Sequence, residues 1–262
     1  MRKQTLMIFA ILALTSAATA LGGGNGGFGL TVLVGDAPRV EYFHDGTLYV
    51  EAIRGTSYGL RLTNPTPYRV AVALSVDGLN TIDARHTDPF SAAKWVLGPY
   101  ESAVISGWQV SGQTARALYF TGERRSYGAA LGQTDNLGVI EAVYFRERHR
   151  GVSTDTPDPS PAESNAEGLP SPAAGAPAPK SAAEQKSAGL SDDYAATGMG
   201  RRTRHEVESV DIELEPEPVA SVRIRYEFRP QLVKLGILPM QSSPLERRER
   251  ANGFSTFCPE PK

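Results

Sequence analysis

Cysteine is almost missing from this chain: one stands in 262 residues, Cys258, near the end in "FSTFCPEPK". A single thiol cannot form an internal disulfide, although an oxidising compartment would permit one. Pairing with another chain is what remains open to it. No basic domain with clustered Lys and Arg is visible either, and nucleic-acid binding needs one. The unbroken apolar run Leu6–Leu14 ("LMIFAILAL") is nine residues long, short of the roughly 20 that cross a bilayer as a helix. There is no Gly-x-Ser-x-Gly elbow and no HExxH pair on a helix. His44, His86, His149 and His205 are widely scattered. From residue 151 to 190 there is no aromatic residue at all.

The first feature present is an export leader. Arg2 and Lys3 precede the apolar run, and Ala18-Thr19-Ala20 forms a small-x-small cleavage signature. That order predicts a secretory signal peptide over 1–20, with an uncleaved anchor as the alternative. The mature chain is then expected to start near Leu21, in the periplasm or outside the cell, with no transmembrane segment left. Cleavage leaves 25 basic against 29 acidic residues, a net charge of −4.

Residues 21–29 ("LGGGNGGFG") read as a Gly-rich tether. From 151 to 190 the chain holds seven prolines and nine alanines, a composition with too little apolar surface to offset the entropy of ordering. The expected disordered Pro/Ala-rich insertion is drawn from 151 to 203, with "TGMGRR" (197–202) as its flexible exit. A Gly-x-Gly phosphate loop would need a strand before it and a helix after it, which this position lacks. Residues 241–262 are expected to be a flexible tail.

The remainder alternates with period two, which marks half-buried β-strands. Tyr58, Leu60 and Leu62 alternate before "NPTP" (64–67), and Val70, Val72, Leu74 and Val76 alternate after it, predicting an antiparallel hairpin. "KWVLGPYESAVISGW" (94–108) repeats the scheme around a Gly-Pro turn. "RSYGAALG" (125–132) predicts a helical turn or two ending at Gly132, and 136–148 a further strand. After the insertion, 207–215 and 221–228 predict a second hairpin across "EPEP", acidic on one strand and basic on the other. A lone hairpin is marginal in water. The fold class expected is therefore all-β: an antiparallel β-sandwich of one discontinuous domain, 30–150 with 204–240.

Several phrases stand in the same order: "LRLTNPTPYRVAVALSVDGLNTID", "GPYESAVISGW", "YFTGERRSYGAALG" with "NLGVIEAVYF", and "ATGMGRR" with "RYEFRPQLVKLGIL". Together they resemble a group of exported bacterial proteins with no assigned activity, over most of 48–148 and about 195–238. The resemblance implies export. It brings no cofactor, catalytic residue or partner with it.

The richest polar stretch is "VDGLNTIDARHTDPF", with Asp77, Asn80, Asp83, His86 and Asp88 close together. Clustered oxygen ligands suit calcium, and His with carboxylates suits zinc, which makes Asp83, His86 and Asp88 the metal candidates. The spacing fits no EF-hand, and Asp-Gly and Asp-Pro are ordinary turn pairs. Tyr100 and Trp108, at strand ends, join Asp77–Asp88 as candidate binding residues, because loops of a sandwich commonly carry recognition. The function expected is a non-catalytic binding or interaction module of the cell envelope, its partner an envelope protein or glycan, with no cofactor. An exported hydrolase, metal-assisted through the 77–88 loop, and a structural envelope component are the alternatives.

Overall fold

The computed structural model describes residues 26–148 and 189–240, Arg248, and the backbone of Thr5–Ile8. Most of the expected signal peptide, residues 21–25 of the tether, residues 151–188 of the insertion with 149–150 before it, and Cys258 with nearly all of the C-terminal tail lie outside the described residues. Among the described residues sixteen strands follow one another. The first eight are β1 (Thr5–Ile8), β2 (Gly29–Val34), β3 (Ala37–Pro38), β4 (Glu41–His44), β5 (Thr47–Ala52), β6 (Ser57–Thr63), β7 (Val70–Val76) and β8 (Leu79–Asn80). The rest are β9 (Trp95–Leu97), β10 (Ser102–Ile105), β11 (Gly107–Ser111), β12 (Thr114–Gly122), β13 (Val139–Glu147), β14 (Ala195–Arg204), β15 (Glu208–Asp211) and β16 (Leu214–Phe228). Two short helices complete the described fold, α1 (Tyr127–Leu131) and α2 (Arg229–Lys234).

The chain is an all-β sandwich. Its first sheet holds β2, β3, β6, β10, β11, β12 and β14; the second holds β4, β5, β7, β8, β9, β13 and β16. Pairing is antiparallel except between β5 and β16, which run parallel. That pair makes the second sheet mixed, where the sequence reading had only antiparallel strands. Outside both sheets, β1 pairs with β15.

The inner faces of the two sheets share one core. Leu60 and Leu62 of β6 meet Val72 and Leu74 of β7 and Ile224 of β16 there, all fully buried. Each such side chain contributes about 2 kcal/mol by leaving water. Trp95 and Trp108 are each 2% exposed. Their ring N–H groups are satisfied, Trp95 by Thr81 Oγ1 at 2.9 Å and Trp108 by the Gly198 carbonyl at 3.3 Å. Phe28 and Gly29, expected in the tether, belong to the sandwich, with the Phe28 ring tilted at 45° and 4.9 Å from that of Tyr144.

The alternation read from the sequence places the right residues inside, but not on the expected partners. β6 and β7 do not pair: they lie in opposite sheets, so "NPTP" is an arch that carries the chain across the sandwich. β9 and β10 also lie in opposite sheets, joined by a second arch at 98–101. The two arches are locked together by Asn64, which is wholly buried. Its Nδ2 donates to the carbonyls of Tyr68 and Gly98, both at 2.7 Å, and its Oδ1 accepts from the Thr66 N–H and hydroxyl.

The expected hairpin of 207–215 with 221–228 is not formed either. β16 inserts between β5 and β13 instead. "EPEP" lies inside β16, and Pro218 sits where the β13–β16 register slips at Phe145, a bulge being where a strand tolerates a missing N–H. The cross-strand ion pair forms with β13, Arg223 reaching Glu141 at 2.7 Å. Ala195–Thr203, assigned to the linker by composition, is strand β14 against β12. The glycines of "TGMGRR" have a packing role there: a Cβ on Gly198 would stand 2.3 Å from the Tyr119 ring, and one on Gly200 3.4 Å from it. The helical turn at 127–131 forms as expected, capped by the Ser126 hydroxyl and ended by Gly132 at φ 70°.

Candidate functional site

β7 lies inside the second sheet with small residues on its outer face: Ala71, Ala73 and Ser75. Small side chains there let the segment that follows β8 fold back over the sheet. A groove of about 440 Å³ is left between that segment and the outer faces of β7, β13 and β16. Ala73, Ser75 and Val143 belong to its floor, Arg85 to Pro89 form one wall, and Arg223 and Arg225 stand on the β16 side.

The wall is held by its own polar side chains. Asn80 accepts the Ile82 N–H at 2.8 Å and donates to the Ala93 carbonyl at 2.7 Å, tying both ends of the segment together. Asp83 accepts the Arg85 N–H at 3.0 Å. His86 Nδ1 lies 2.9 Å from the Gly78 carbonyl, so it carries the hydrogen and Nε2 is left free. Asp88 accepts the Ser91 N–H at 3.0 Å, and this hydrogen bonding holds its carboxyl below the usual range.

Under the segment lies Lys94, 0% exposed. Its ammonium donates to the carbonyls of Phe90 and Ala92, at 2.5 and 2.8 Å, and sits 5.1 Å from the centre of the Phe145 ring. Burial pushes its pKa down to about 8, against the pull of Asp88. Phe90, Ala92, Ala73, Val143 and Phe145 form a small apolar cluster there, which anchors the wall to the sheet.

The sequence candidates therefore separate. Asn80, His86 and Asp88 line the groove, and Asp83 shapes the turn beside it. Among the described residues no three His, Cys, Asp or Glu side chains gather as a metal site would require. Tyr100 is 69% exposed, with φ 55°, on the second arch. That arch lies beyond the Val70 end of β7, whereas the 77–88 loop leaves its Val76 end. About 20 Å of strand separates them, so they do not form the single surface expected. Trp108 is a core residue. The arginines of the groove were missed by sequence reading, since alternation placed Arg223 and Arg225 on an outer face without showing what faced them.

Asp77 is likewise not a surface ligand: it is 2% exposed and caps the sandwich from inside. Its Oδ1 accepts the Tyr226 hydroxyl at 2.5 Å and the Gly138 N–H at 2.9 Å; its Oδ2 accepts the Thr197 N–H at 2.7 Å. The Thr197 hydroxyl lies 2.7 Å from that of Tyr226 and 2.6 Å from that of Tyr58. With Asp77 ionised, one orientation satisfies every group: Tyr58 donates to Thr197, Thr197 to Tyr226, and Tyr226 to the carboxylate. Burial pushes the Asp77 pKa up to about 7 against these donors. The cluster joins residues on both sides of the insertion and both sheets.

Comparison with protein-family models, with curated proteins and with solved structures gives no match.

Proposed function

We propose that the chain is an exported, non-catalytic binding or interaction module of the cell envelope, and that the groove beside the 85–92 segment is its recognition surface. The leader signature at 1–20 supports export. The single observation behind the recognition surface is the groove itself: a wall fixed by Asn80, Asp83, Asp88 and Lys94 faces the outer side of the second sheet across a space of about 440 Å³. A site already built before its ligand arrives loses little entropy on binding.

The test is capture from envelope extract on the immobilised protein, compared with Ser75→Trp, which fills the groove floor without changing charge. A ligand retained by the wild type and lost by Ser75→Trp, with the fold intact by near-ultraviolet dichroism, supports the reading. Equal retention by both proteins moves recognition away from the groove.

A further inference from the structure

The groove has a charge bias that the rest of the chain does not share. The protein as a whole carries a net charge of −2, yet three arginines, Arg85, Arg223 and Arg225, line the groove with two carboxylates, Asp88 and Glu141. Both carboxylates are already engaged. Glu141 Oε1 accepts from Arg223 through Nη2 at 2.7 Å and Nε at 3.2 Å, and Asp88 accepts the Ser91 N–H. The guanidinium groups of Arg85 and Arg225 make no hydrogen bond or ion pair among the described residues; that of Arg225 is only felt at longer range by Glu227. Two exposed guanidinium groups, one on the loop wall and one on the sheet, therefore border the same concavity without a partner in the protein.

The remaining lining suits a polar guest. Asn136, Thr87 and Ser75 supply neutral donors and acceptors, and Ala73 and Val143 a small apolar floor. A guanidinium presents its N–H groups as a planar fork that matches the two oxygens of a carboxylate or phosphate. An aliphatic or cationic ligand would leave those forks unmatched.

Resting on the recognition reading above, we infer that the groove takes a polar ligand bearing a carboxylate or phosphate, its oxyanion bonded by Arg85 and Arg225. Asn136 and the free Nε2 of His86 contact the uncharged part of that ligand. The two sources of the oxyanion, a phosphorylated group and an acidic sugar, share this chemistry and are separated by the choice of probe.

The experiment titrates the purified protein with inorganic phosphate, glucuronate and glucose, following backbone amide shifts. Phosphate, glucuronate or both should shift amides of 85–92 and 223–225, and glucose should not. Whichever anion acts at the lower concentration identifies the source. Arg85→Gln and Arg225→Gln should each weaken binding roughly 10-fold or more, as loss of a charge-assisted bond does. Arg202→Gln, on β14 of the other sheet, should leave binding unchanged. Both groove arginines are exposed, so their variants should fold. The inference is overturned if neither anion shifts groove amides, if glucose binds as well as glucuronate, or if the groove variants titrate like the wild type. Capture that is abolished by Ser75→Trp but kept by both glutamine variants would leave the recognition surface standing while removing the anion.

Discussion

Replacing Asp77 by Asn tests the electrostatics of the core directly. In the folded protein the carboxyl sits at about 7, raised by burial from an ordinary value of 3.8. A raised folded-state pKa means the native state holds its proton more tightly than the unfolded chain. The associated stability is therefore complete below about pH 4 and is lost progressively until the native carboxyl ionises near pH 7. One proton is worth about 1.4 kcal/mol per pH unit across that window, giving roughly 4 kcal/mol in all and about 2–3 kcal/mol between pH 5 and 8. Against a typical total of about 5–15 kcal/mol this is a large fraction. Asp77→Asn removes the titration. It also turns an amide N–H₂ toward the Thr197 N–H, leaving a buried donor unpaired at about 1–3 kcal/mol. The assay is urea unfolding of both proteins at pH 5, 6, 7 and 8. The variant should be the weaker at pH 5, and its deficit should shrink by about 2–3 kcal/mol by pH 8. A deficit constant across that range would show that the donors from Tyr226, Gly138 and Thr197 fully offset burial of the charge, and would refute the reasoning.

Two other substitutions probe the frame that carries the groove. Asn64→Ala should cost about 2–4 kcal/mol in denaturant unfolding, because it removes four side-chain hydrogen bonds and leaves the carbonyls of Tyr68 and Gly98 only long second donors, the Thr66 hydroxyl at 3.4 Å and the Glu101 N–H at 3.3 Å; a cost under about 0.5 kcal/mol would mean the arches hold without it. Gly198→Ala should destabilise by about 1–3 kcal/mol through its clash with Tyr119, and the loss should be largely absent when Tyr119→Ala is already in place. Additive losses in that cycle would show that the ring is not what excludes a Cβ.

How much of this was legible in the sequence follows from what side-chain patterns encode. Val70, Val72, Leu74 and Val76 announce an inward face, and they are inward. The same alternation serves a strand in either layer of a sandwich, so it cannot distinguish a hairpin from an arch. The distinction rests on backbone hydrogen bonds and on Asn64, a residue that reads as ordinary turn chemistry until its four bonds are seen. "EPEP" misled for a related reason: proline forbids a ladder bond but not a bulge within a long strand. "TGMGRR" read as flexible because glycine lacks a side chain, whereas the space above Gly198 is filled by Tyr119 from the neighbouring strand. Asp77 and Lys94 were hidden most completely: the partners of Asp77 lie far along the chain at Gly138, Thr197 and Tyr226, and Lys94 bonds only nearby carbonyls, those of Phe90 and Ala92, which carry no side-chain signal. Of the groove, the wall residues Asn80, His86 and Asp88 were visible as a polar cluster; Arg85, Arg223 and Arg225 became relevant only once β16 was placed beside β13.

That placement also governs how the molecule is assembled during synthesis. β16 is the last of the described strands in chain order, and it belongs in the middle of its sheet, between β5 and β13. Until it arrives, both neighbours are bare edges with unpaired backbone groups, separated by a slot about 10 Å wide, two strand spacings. One side of the slot requires a parallel neighbour and the other an antiparallel one, so a single strand direction satisfies both. A nascent or truncated chain lacking residues 214–228 therefore displays a vacancy that the same strand from a second copy fits equally well, which makes exchange of C-terminal segments the failure mode built into this topology.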